Sequence, residues 1–194
     1  MSSGAASSTA LKADHNLSGY ALWIVPSESQ TPSYQSLISH LASLEPSSPS
    51  FNPHITLLHP IPLSTPLDEI HSTLRQAIDR ASTKSGSMTD KPLTLGKAQS
   101  GEKYYQSVLA PVEPTPSLLA LREEVQSAFR LTGLKEYFPH LSLLYGDLTK
   151  ERRDELALIA NEKGFEKEVE VKEVVIVRSV GSAEEWKTVG REKL

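Results

Sequence analysis

Two stretches of this chain spell the same phrase around a histidine. Phe51-Asn52-Pro53-His54-Ile55-Thr56-Leu57-Leu58 returns as Tyr137-Phe138-Pro139-His140-Leu141-Ser142-Leu143-Leu144, with the histidines 140 − 54 = 86 positions apart. For ordinary residue usage a second copy by chance is on the order of one in ten thousand, so duplication is the simpler account. Alternate side chains of a strand share a face, which groups His54 with Thr56 and His140 with Ser142. Pro53 and Pro139 suit the start of a strand, where no ladder donor is demanded. Two imidazoles and two hydroxyls around one cavity fit a phosphodiester. The hydroxyls would hold non-bridging oxygens, and the imidazoles would lie beside the attacking and leaving oxygens. A reference pKa of ~6.5 lets one ring be neutral and the other charged near neutral pH, which supplies a base and an acid. A strained five-membered cyclic phosphate is the diester such a pair could open without a metal.

The elements that must position these residues are legible from hydrophobic spacing. Tyr20 to Val25 reads as a buried strand ended by Pro26. Leu37, Ile38, Leu41 and Leu44 recur at helical spacing after Pro32. The His54 strand follows, then a helix from Pro66 with Leu67, Ile70, Leu74 and Ile78 on one stripe, a polar loop over 82–90, and a strand over 92–98. The second half repeats the order: a strand over 104–112, a helix from Pro116 that Gly133 can end, and the His140 strand. Thr149 then caps another helix, and strands over 169–180 and 185–189 close the chain. The expected class is α+β: two pseudo-twofold-related lobes, each a small antiparallel sheet backed by helices, with the site in the cleft between them. The lobes would cover about 19–100 and 101–194 of a single domain 19–194, with the chain ends free to cross over.

Composition narrows the function classes. A chain of 194 residues with 38% hydrophobic and 23% charged residues is an ordinary globular protein. A net charge of −4 argues against a wide electrostatic footprint on long nucleic acid. Zero cysteines exclude disulfides, thiolate catalysis and cysteine-ligated zinc together. Residues 1–18 are rich in Ser and Ala, with no apolar run for a signal-peptide core and no arginine, and are expected to form a disordered tail. No run is long enough to span a bilayer. A soluble, intracellular, cytoplasmic monomer is the expectation.

The paired phrases resemble the two-histidine (2H) phosphoesterase superfamily. The run from Tyr137 to Thr149 (YFPHLSLLYGDLT) is similar to the small cyclic phosphodiesterases of fungi and plants, as are Tyr20-Ala21-Leu22-Trp23-Ile24-Val25-Pro26 and Glu185-Trp186-Lys187-Thr188-Val189. The likeness spans about residues 19–190. It implies a bilobal fold, hydrolysis without metal or other cofactor, and a small-molecule cyclic phosphate as partner. That branch opens ADP-ribose 1″,2″-cyclic phosphate to ADP-ribose 1″-phosphate, downstream of tRNA splicing, and converts nucleoside 2′,3′-cyclic phosphates to 2′-phosphates. It also implies His54 and His140 as proton donor and acceptor, Thr56 and Ser142 as phosphate ligands, and Tyr145 as a substrate contact. Simple alternation puts Tyr145 on the face opposite His140, so it reaches the site only if the strand twists or ends there. His59, five after His54 as Tyr145 is five after His140, has the same wrong parity and is expected at a loop edge. Trp23 and Trp186 are expected in the core, with stacking on an adenine the lesser reading, and Gln106 is an ordinary strand residue that could face the cleft. His15, His40 and His71 carry no chemistry.

Other readings stay open. One is a 2H enzyme processing RNA ends, 2′,5′-ligase-like or exonuclease-like. Another is a non-catalytic module for phosphorylated ligands, although Arg or Lys would serve binding as well as histidine. A metallohydrolase would need a carboxylate cluster that the sequence does not show beside His54, His59 and His140. Which histidine is base and which acid is not set by two near-equivalent phrases.

Overall fold

A computed structural model of the chain describes residues 17–194. In chain order it runs β1 (Leu17–Pro26), α1 (Thr31–Ser43), β2 (Ile55–Ile61), α2 (Leu67–Ser85), β3 (Leu93–Thr94) and β4 (Gln99–Ser100). The second half continues with β5 (Val108–Pro111), α3 (Pro116–Ala128), β6 (His140–Leu144), α4 (Lys150–Lys163), β7 (Glu168–Val169), β8 (Val171–Gly181) and β9 (Lys187–Lys193). The class is α+β. Seven strands form one antiparallel sheet in the order β4-β5-β6-β2-β1-β8-β9, and β3 and β7 form a small second sheet.

The helices form where apolar stripes and caps agree. In α2 the buried residues are Ile70, Leu74, Ala77, Ile78 and Ala81, with Asp68 and Glu69 in the first turn where the helix dipole favours them. Thr115 caps α3 by accepting the Leu118 amide at 3.2 Å, and Thr149 caps α4 by accepting the Arg152 amide at 3.3 Å. Helices α2 and α3 pack together, against β9 and β2 respectively, while α1 and α4 lie behind β6, β5 and β4. The sheet's pleat then divides its side chains. Leu22, Ile24, Val174 and Ile176 enter the main core with residues from all four helices, whereas Ala21, Trp23, Val175 and Val177 cluster on the opposite face. That second face, free of helices in its packing, carries the site.

Several expectations shift in detail. Residues 1–16 of the expected tail lie outside the described residues, but Leu17 and Ser18 already pair with Gly181 and Val180. Helix α2 runs to Ser85, ending at Gly86 with φ 79°, so the polar loop is shorter than its composition implies. Helix α3 stops at Ala128, ahead of Gly133; Arg130 takes the positive φ (52°) that turns the chain. Of 104–112, the first three residues form a 3-10 turn (Tyr104–Gln106) and only Val108–Pro111 is strand. Strand pairing also crosses the expected join near Ser100-Gly101. Strand β4 pairs with β5, and β8, from the end of the chain, pairs with β1 from Leu17↔Gly181 to Pro26↔Val171. No helix among the described residues is long and apolar enough to cross a membrane.

Candidate active site

The two histidine strands are neighbours in the sheet and meet through one register pair, Ile55↔Leu141. Each has a longer partner on its far side, and there the 86-residue offset recurs. Leu22↔Leu58, Trp23↔Thr56 and Ile24↔Ile55 join β1 to β2. Val108↔Leu144, Leu109↔Ser142 and Ala110↔Leu141 join β5 to β6. Every residue of the second set lies 86 after its counterpart. In both sets consecutive residues on the partner strand face positions two apart on the histidine strand, so Leu57 and Leu143 are extra residues. These are β-bulges. A bulge resets alternation, and the residues following it exchange faces. The expected parity of Tyr145 and His59 is therefore corrected: both turn onto the face that bears the histidines.

Each ring is fixed by its own phrase. His54 Nδ1–H donates to the Asn52 carbonyl at 2.6 Å, and His140 Nδ1–H donates to the Phe138 carbonyl at 2.7 Å. Because a carbonyl only accepts, Nδ1 carries the proton in both, and Nε2 is the nitrogen left for chemistry. Trp23 stacks on His54 with centroids 3.6 Å apart and planes 9° from parallel. Phe51 stacks on Tyr145 at 3.7 Å and 9°, and Tyr145 Oη–H donates to His54 Nε2 at 3.3 Å. Ser142 Oγ–H donates to the Tyr105 carbonyl at 3.0 Å, and the Thr56 carbonyl accepts from Tyr137 Oη at 3.2 Å. The structure thus brings His54, Thr56, His140, Ser142 and Tyr145 to one cavity of about 210 Å³.

Residues that sequence reasoning left aside line it too. Trp23, His59, Gln106 and Trp186 all face the cavity, with Tyr105 and Ser179. The loop edge expected for His59 is corrected, since it lies within β2 and the bulge turns it to the cavity, whereas Trp23 is buried in a core cluster against which Trp186 packs, and both also line the cavity. Gln106 arrives on the 3-10 turn, not on a strand. The signal that could have found His59 is the repeat itself, since it holds the position of Tyr145. Among the described residues lining the cavity there is no Lys, Arg, Asp or Glu, and no three of His, Cys, Asp and Glu among the described residues come together so as to hold a metal ion.

Electrostatics follow from burial against a wall without Lys, Arg, Asp or Glu among its described residues. Burial holds His54 well below the ordinary imidazole range, at about 4; its bond to Asn52 works the other way, and the neighbouring His140 adds to the lowering. Burial lowers His140 as well, opposed by the Phe138 carbonyl and assisted by Lys103. Burial raises the Tyr145 phenol, so it remains a donor. Burial thus favours the neutral form of both imidazoles. A bound phosphate supplies the opposite charge that would let one of them hold a proton.

The fold and the site define a class before any closer relation is drawn. Crystal structures of E. coli LigT superpose on this chain with a TM-score of 0.53 for the apo form and 0.54 for the form with NADP+. They are 15% and 14% identical, and the match covers 92% of this chain and 98% of LigT. At that identity the likeness speaks for the fold alone. The match to the family described as cyclic phosphodiesterase-like protein covers residues 18–194, and the chain belongs to that family. A cyclic phosphodiesterase of Arabidopsis thaliana is 28% identical over 134 residues, covering 69% of this chain and 68% of the relative. A 2′,3′-cyclic-nucleotide 3′-phosphodiesterase of Kluyveromyces lactis is 30% identical over 144 residues, covering 67% of this chain and 65% of the relative.

Proposed function

We propose that the protein hydrolyses cyclic phosphodiesters with His54 and His140 as its acid–base pair. The observation that carries the reading is the convergence of two like-oriented imidazoles, each with Nε2 free of its own backbone, on one cavity. Thr56 and Ser142 hold the non-bridging oxygens, which requires the Ser142 hydroxyl to turn from the Tyr105 carbonyl toward the ligand. One neutral ring takes a proton from water as its oxygen bonds to phosphorus. The other, charged while the phosphate is bound, gives its proton to the departing sugar oxygen as the ring P–O bond breaks. Tyr145, already on His54 Nε2, releases that nitrogen and donates to the ligand instead.

The substrates are nucleoside 2′,3′-cyclic phosphates, opened at the 3′ oxygen to 2′-phosphates, and ADP-ribose 1″,2″-cyclic phosphate, opened to the 1″-phosphate. The names of the Arabidopsis and Kluyveromyces relatives support the reaction class. Opening of ADP-ribose 1″,2″-cyclic phosphate, and a place downstream of tRNA splicing, rest on the resemblance of the sequence. The test is incubation with both substrates in excess EDTA, for the unaltered protein and for His54→Ala and His140→Ala. Each substitution is expected to lower kcat by about 10²–10⁴-fold with the thermal transition retained. Full turnover by both variants would end the proposal, and loss of activity in EDTA restored by zinc would replace it with a metal mechanism.

A further inference from the structure

The repeat places a third imidazole where its symmetry mate is a phenol. His59 stands five after His54 as Tyr145 stands five after His140, and equivalent bulges turn both onto the cavity. Tyr145 has a partner in His54 Nε2. The ring of His59 has none: its Nε2 is sealed from water without a hydrogen bond, which leaves Nδ1 as the nitrogen able to meet a ligand. A sealed N–H without a partner costs more than a sealed lone pair, so the proton sits on Nδ1 and the ring is a donor. Burial also pulls the ring below the ordinary imidazole range. His59 therefore brings a neutral N–H to a cavity whose described walls hold no formal charge.

Reach decides what that N–H meets. His59 lies three positions beyond Thr56, on a strand that rises ~3.3 Å per residue. An imidazole is shorter than a phenol by a ring carbon and the hydroxyl, so His59 reaches less far back along its strand than Tyr145, which meets His54. Beyond the two histidine phrases the lining continues with Leu17, Ala21 and Ser179 of β1 and β8, and Ser179 Oγ–H is already spent on the Gly19 carbonyl. With Thr56 on the phosphate, as the hydrolase reading has it, what is attached to the phosphate lies within reach of His59. We propose that His59 donates from Nδ1 to an oxygen of the sugar that carries the cyclic phosphate, and so selects cyclic phosphates borne on a sugar over the bare five-membered ring.

The inference rests on the hydrolase reading and is tested by a ratio of substrates. The unaltered protein, His59→Phe and His59→Asn are compared on adenosine 2′,3′-cyclic phosphate and on glycerol 1,2-cyclic phosphate, which has no sugar ring. Phenylalanine keeps the ring's bulk without its nitrogens; the asparagine amide restores a donor near Nδ1. The kcat/KM ratio of nucleotide to glycerol compound is expected to fall about threefold to tenfold in His59→Phe, the range of one neutral hydrogen bond, through KM. In His59→Asn it returns toward the original value. A ratio unmoved in His59→Phe, or one that falls equally in both variants, overturns the inference. Should the unaltered protein turn over neither compound, the hydrolase reading fails on its own. The same variants then answer through binding of adenosine 2′-phosphate against inorganic phosphate by calorimetry, with the same expected and contrary ratios.

Discussion

His54 and His140 are built alike, yet their surroundings differ in a way that sets where the reaction runs fastest. His54 lies almost fully buried, stacked against Trp23, while His140 opens its strand half-buried beside the exposed Phe138 ring, 5.5 Å away. Burial lowers both, His54 to about 4. The dependence of kcat/KM on pH reports groups of the free enzyme. Whichever ring acts as base must be neutral, which fails below the lower of the two values. Whichever acts as acid must be charged, which fails above the higher. Both values lie under 6.5, so the bell for kcat/KM on a 2′,3′-cyclic nucleotide should peak on the acid side of pH 6.5. A plateau extending to pH 8 would show that these imidazoles are not the titrating pair.

At the scale of elements, the bulges at Leu57 and Leu143 and the tight turn at Tyr104–Gln106 do the positioning. Gly101 passes so close to that turn that a Cβ would run into the Gln106 carbonyl oxygen, and its amide donates to the Ser107 carbonyl at 3.2 Å. The turn carries Tyr105 and Gln106 to the cavity wall and offers the carbonyl on which Ser142 rests. Gly101→Ala should therefore raise KM by about threefold or more, the loss of one or two neutral hydrogen bonds, with a smaller change in kcat. Steady-state kinetics at fixed pH would check it, and an unchanged KM would show the turn to be free to move. This scale is also where the sequence was least legible. The grouping of His54 with Thr56 and His140 with Ser142 follows from alternation within one strand, and both pairs do face one cavity. The placing of Tyr145 and His59 does not, because a bulge is decided by the neighbouring strand. Nothing in Leu57-Leu58 or Leu143-Leu144 marks one leucine as extra. Gly133 misled for a related reason: Arg130 made the turn first.

The whole molecule depends on its last strands as much as on its first. β8 lies between β1 and β9, and Val171, Val174, Val175, Ile176 and Val177 are all buried there. At ~1.5–3 kcal/mol for each buried aliphatic side chain, their burial together amounts to roughly 10 kcal/mol, comparable with the entire stability of a domain. A chain ending at Glu170 should show no cooperative urea transition by circular dichroism; a sharp one would mean that β1, β2 and the helices suffice. Hydrophobic spacing revealed β1 and β8 and part of β9, and the chain ends were left free to cross over, but which strands they would join was hidden, because pairing between distant segments leaves no mark in either.

That joining has a consequence for how the molecule is made. β1 is made well before β8 and waits, while the residues between them are translated, for the strand that covers one of its edges. At ~5–20 residues per second the delay is roughly ten seconds or more. Throughout it, Leu22, Trp23 and Ile24 sit on a ribbon with unpaired amides and carbonyls, the kind of edge that recruits foreign strands. Until β8 arrives, β1 is the strand whose open edge a holding chaperone would shield.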